Sequence, residues 1–156
     1  MQQAQFPKET GSDGEFRRQT SAFRQWVRAD GSSEFPAESG RYHLYVSSAC
    51  PWAHRVIIAR TIKGLEDMIG MTIVDPLRDG RGWKFTDEPD PLHDFQFLAE
   101  AYEASSSQFE GRVTVPVLWD KQSNRIVNNE SSEILRMLNS EFNAFGNAEV
   151  DLYPEP

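Results

Sequence analysis

Leu44 and Val46 alternate with Tyr45 and Ser47 in a segment rich in β-forming residues, so residues 41–47 are predicted as a strand. Ser48-Ala49-Cys50-Pro51 then turns the chain, and Pro51 suits the first position of a helix, where its missing N–H costs nothing. From there the apolar period changes. Ala53, Val56, Ile57, Ala59 and Ile62 follow helical spacing, and Gly64 can close the helix. Residues 71–74 read as a second strand, residues 75–92 as a loop rich in Asp, Gly and Pro, and about 93–104 as a helix. A third strand at 115–120, a turn at 121–124 and a fourth strand at 125–127 form a hairpin. Glu130-Ser131-Ser132 starts a last helix with Ile134, Leu135 and Leu138 on one face.

The order β-α-β-α-β-β-α predicts an α/β domain of the thioredoxin-like fold over residues 40–145, with a mixed four-stranded sheet. A right-handed crossover packs the first helix against a parallel pair of strands. Residues 1–39 mix Gly, Ser, Pro and charges with Phe6, Phe16, Phe23, Trp26 and Phe35. They read as an extended N-terminal arm with a short helical piece around Ser21–Arg28, its aromatics docked on a surface.

Composition narrows the function classes. The 156 residues suffice for one domain, and ten Phe with four Trp supply a large core. A net charge of −8 disfavours a nucleic-acid or anionic-lipid surface. No apolar run reaches a membrane span, the first residues lack the signature of a signal peptide, and the single cysteine excludes an intrachain disulfide. A cytoplasmic, reducing location is the expectation. No His, Cys or carboxylate cluster has metal-ligand spacing, so no metal is expected.

Cys50 is the candidate nucleophile. It sits where a strand ends and a helix begins, and the helix N-terminus stabilises a thiolate, with His54 and Arg55 on the next turn. An inert buried cysteine is the competing reading. The position three residues on is Ala53, so a mixed disulfide on Cys50 cannot be resolved within the chain. The second thiol must come from solution, which points to a glutathione-type co-substrate. Val115-Pro116 opens an inner strand, an unusual place for proline. A cis bond there would turn the Val115 carbonyl and N–H toward the cleft, where a peptide-like ligand could pair with them; an ordinary trans proline is the alternative. At the start of the last helix, Ser131 and the helix N-terminus can hold a carboxylate and Glu130 an ammonium, the two groups of a γ-glutamyl end. An ordinary N-cap is the plainer reading.

These motifs resemble those of the glutathionyl-hydroquinone reductases, the Xi-class glutathione transferases. The resemblance is carried by residues 41–47 followed by Ala49-Cys50-Pro51-Trp52-Ala53-His54-Arg55, then Gly82-Trp83-Lys84-Phe85, residues 112–120 and Asn128-Asn129-Glu130-Ser131-Ser132. Residues 14–16 and 23–27 resemble the family's N-terminal arm. The resemblance implies reduction of a glutathionyl-hydroquinone through a Cys50–glutathione disulfide, with Trp83, Arg112, Val115, Glu130 and Ser131 holding glutathione. For Trp83 and Arg112 this role rests on the resemblance. It also implies a homodimer in the full-length protein and a second, all-helical domain, with residues 146–156 starting the linker to it. Alternative readings are an omega-like thiol transferase or dehydroascorbate reductase, and a non-catalytic interaction module on the same fold. His43 reads as structural, Trp119 as core, and Asp87-Glu88-Pro89-Asp90 as a solvated loop.

Overall fold

A computed structural model describes residues 11–156. Phe6 and the first part of the expected arm lie outside the described residues. The main sheet has four strands in the order β4-β3-β5-β6: β3 (Tyr42–Val46), β4 (Gly70–Ile73), β5 (Val117–Asp120) and β6 (Arg125–Asn128). β3 pairs parallel with β4 and antiparallel with β5, and β5–β6 is the predicted hairpin. All five residues of β3 are buried, so both faces of the sheet are covered at its centre. Helix α1 (Pro51–Ile62) packs against α3 (Ser131–Ser140), and α2 (Leu98–Ser105) packs against β6. This is the expected thioredoxin-like order, with Trp119 fully buried in the core.

Four local expectations are corrected. No helix forms around Ser21–Arg28; that segment is extended, bridging Arg24 to Asn128 and ending in β1 (Val27–Arg28), which pairs with β2 (Phe35–Pro36). Its docking explains why: Phe23 packs edge-on against Tyr102 at 5.5 Å, and Arg24 Nε donates to Glu133 at 2.7 Å. The second helix starts at Leu98 rather than near His93. Asp94 takes φ +59°, and Lys84 and Phe85 pair with Phe97 and Gln96, which keeps that stretch extended. The third strand begins at Val117, because Pro116 has no N–H for the ladder.

Asp90 is the fourth. It is not solvated but wholly buried, accepting bonds from Tyr45 Oη at 2.9 Å and His93 N at 2.8 Å. Burial, followed by the Asp90 charge, drives the Tyr45 phenol far above its usual range.

β3 and β5 are also joined by a buried ion pair. Arg41 donates to both Asp120 carboxylate oxygens at 2.8 and 2.9 Å. Burial pushes Asp120 up, but the bonds from Arg41 and Ser123 outweigh it and hold the carboxyl at about 2. His43 is buried against Thr72, its ring 2.7 Å from Oγ1. A Cβ at Gly70 would lie 2.5 Å from its Nδ1, so only glycine fits beside that ring. Residues 146–156, expected to begin a linker, are tied to the body: Lys63 Nζ donates to Val150 O at 2.6 Å, and Asn139 bonds Asp151 and Leu152. No described helix is long and apolar enough to cross a membrane.

Candidate functional site

Cys50 is the N-cap of α1, with Pro51 at the first helical position and no acidic residue in the first turn. The Cys50 N–H donates to Ser47 O and its carbonyl accepts from His54 N, so the corner closes on main-chain bonds. Its half-buried thiol faces the Val115 carbonyl, with Sγ 3.7 Å from the oxygen. The Val115–Pro116 bond is cis, the first of the two alternatives for that proline.

A cavity of about 310 Å³ opens at this corner. Cys50, Trp83, Arg112 and Val115 all line it, so four of the six candidate residues meet at one place. Trp83 reaches it from the 75–97 loop, where its carbonyl accepts from Leu98 N and Gly82 beside it takes φ +92°. Glu130 and Ser131 are not among the lining residues. Ser131 is buried and accepts from Arg55 Nη2 at 2.7 Å. Glu130 accepts from Ser21 Oγ at 3.0 Å and from Ser132 Oγ at 3.2 Å. A smaller hollow of about 80 Å³, lined in part by Ser21 and Asn129, shares Arg18, Arg112 and Thr114 with the larger space.

The cavity also contains residues that sequence reasoning missed. Arg18 and Arg78 join Arg112 in its wall, and no carboxylate does so among the described residues. Among the described residues this wall is cationic, within a chain of net charge −8, and such a wall favours an anionic ligand. Arg78 stacks over Trp83 at 4.5 Å, and Trp52 lies half exposed between Arg18 at 5.9 Å and Arg55 at 5.2 Å. Phe16 and Arg18 come from the arm, whose Gln19 accepts from Arg112 N at 3.3 Å.

Tyr102 was missed as well. Its hydroxyl donates to Thr114 O at 2.8 Å and accepts from Thr114 N and Asn129 Nδ2, both at 3.1 Å. It thereby ties the segment before Val115 to the segment before Glu130. Burial pushes its phenol up. The signal was present in the helical register, because a tyrosine beside Leu98 and Ala101 on a buried face needs a partner for its hydroxyl.

Residues 49–141 match the family described as glutathione S-transferase, N-terminal domain. The chain belongs to the glutathione S-transferase family. Within it, the chain is 49% identical to the glutathionyl-hydroquinone reductase YqjG of Escherichia coli K12, covering 94% of this chain and 48% of that protein. The Xi-class transferase of Natrialba magadii superposes with a TM-score of 0.86 at 51% identity, over 95% of this chain and 47% of that one. The glutathione-bound structure of YqjG superposes at 0.80 with 49% identity, over 85% and 47%. The chain therefore spans about half the length of the curated relatives it matches.

Proposed function

We propose that this chain is the glutathione-binding, nucleophile-bearing part of a glutathionyl-hydroquinone reductase. The carrying observation is the convergence of Cys50, Trp83, Arg112 and Val115 on one cationic cavity. The Val115 main chain would pair with the cysteinyl unit of glutathione, and Arg112 would take its glycyl carboxylate. Ser131 and the start of α3 would take the γ-glutamyl carboxylate, and Glu130 its ammonium, which would replace the Ser21 hydroxyl. The relationship to YqjG supports the substrate class.

In this reading the Cys50 thiolate attacks the sulfur of a glutathionyl-hydroquinone. The carbon–sulfur bond breaks, the ring carbon keeps the electron pair and takes a proton, and Cys50 is left disulfide-bonded to glutathione. A second glutathione thiolate attacks the glutathione sulfur, releasing Cys50 and glutathione disulfide. The unit at 40–145 would precede a helical domain, reached through 146–156, that completes the quinol pocket in a homodimeric full-length protein.

Turnover of glutathionyl-menadione against a glutathionylated peptide tests the reading. Preferential reduction of the menadione conjugate supports it. Equal or reversed preference assigns a general thiol transferase instead, and an inert Cys50 assigns a non-catalytic scaffold.

A further inference from the structure

Arg55 stands on α1 five residues beyond Cys50, roughly 7.5 Å along the same helix. Its Nη2 donates to Ser131 Oγ at 2.7 Å across the α1–α3 contact. Its guanidinium also rests 5.2 Å from the Trp52 ring, and its Nε is buried with no partner among the described residues. A guanidinium has donors only, so the Ser131 hydroxyl must be the acceptor in this bond. The hydroxyl proton is then left to a third group, and among the described residues none takes it.

We propose that Arg55 is a positioning residue for the γ-glutamyl end of glutathione. It fixes the Ser131 oxygen and turns the hydroxyl proton outward to a carboxylate. Because Arg55 and Cys50 belong to one helix, the group that grips the far end of the ligand is in fixed register with the sulfur that reacts. This inference rests on the reading of Ser131 as a carboxylate donor given above.

The test follows thiolation of Cys50 in the 156-residue chain by two disulfides, oxidised glutathione and the disulfide of cysteinylglycine, which lacks the γ-glutamyl unit. Arg55→Met is expected to slow the glutathione reaction about tenfold, the scale of a charge-assisted hydrogen bond. It is expected to change the cysteinylglycine reaction by no more than about twofold. Arg55→Lys keeps the charge without the planar fork and should recover part of the loss. If Arg55→Met does not fold, the same ratio of rates in Arg55→Lys decides. In a Ser131→Ala background, Arg55→Met should add no more than about twofold, because both changes remove one interaction. Equal slowing with both disulfides assigns Arg55 to helix packing or to the Cys50 thiolate, and overturns the proposal. Additive losses would mean that Arg55 acts independently of Ser131, and overturn it too. Ser131→Ala without any effect on the glutathione reaction removes the γ-glutamyl reading itself, and the role of Arg55 with it.

Discussion

At the Cys50 end of the cleft, main-chain bonds set most of the geometry: Ser47 O, Cys50 N and O, and His54 N close a strand-to-helix corner opposite the Val115 carbonyl, with one local side-chain bond from Ala49 N to Ser47 Oγ. At the Glu130–Ser131 end, side chains do it, most of them reaching across from distant segments. Asn128 Oδ1 caps Glu130 N at 2.7 Å, Asn129 reaches Tyr102, Ser21 reaches Glu130, and Arg55 reaches Ser131. A corner made of backbone depends on few side chains beyond the reacting one. An end knit from side chains is exposed to substitutions far away in sequence.

The largest effect expected from that contrast is chemical and local. Cys50→Ser should reduce thiol transfer to background, because serine forms no mixed disulfide, while thermal unfolding stays close to wild type. Residual glutathione-dependent turnover in this variant would sink the mechanism.

Arg41→Met separates framework from chemistry on the same side. It leaves the Asp120 carboxylate buried without its cation, and chemical denaturation should show a loss of about 3 kcal/mol. Since β3 and β5 keep their register, the alkylation rate of Cys50 in the folded protein should not change. A large change in that rate would mean that the corner is less self-contained than its main-chain bonds imply.

Tyr102→Phe is the variant that should blur the contrast. It leaves Thr114 N and the Asn129 amide without their shared acceptor, for a loss of about 2 kcal/mol. Glutathione affinity should fall as well, because both ends of the cleft lean on that hydroxyl. Unchanged affinity measured by calorimetry would show that the two ends are held independently.

A graded effect, small at neutral pH, is a pH dependence from His43, which burial pushes down to about 4. Between about pH 6.5 and 4 the unfolded chain binds a proton that the folded chain refuses. Stability should therefore fall as pH drops through that window, by at most about 1.4 kcal/mol per pH unit from this group. Urea midpoints at pH 7 and 5 should differ less in His43→Gln than in wild type. An identical difference would assign the slope to other groups.

The same contrast explains what the sequence made legible. Strand alternation, the switch to helical spacing and Pro51 placed the Cys50 corner because those signals are local. Glu130 and Ser131 were legible as a helix start, but their partners Arg55 and Ser21 were not, since those pairings span 76 and 109 residues. The arm was misread as partly helical because the spacing of Phe23, Trp26 and Val27 suits a helix, whereas docking on Tyr102 and Glu133 holds it extended. Asp90 was misread for the converse reason: in an acidic run, nothing local reveals the buried Tyr45 hydroxyl that receives it. The positive cleft was hidden behind a net charge of −8, because Arg18, Arg78 and Arg112 come together only through the arm and the 75–97 loop.

Intact-mass analysis after addition of one equivalent of oxidised glutathione tests the central claim most directly. The account predicts rapid appearance of a single glutathione adduct on Cys50, its removal by reduced glutathione, and slower adduct formation when Arg112 or Ser131 is replaced by alanine. A Cys50 that stays unmodified, or one thiolated equally fast in those variants and by a disulfide bearing no peptide, would contradict it.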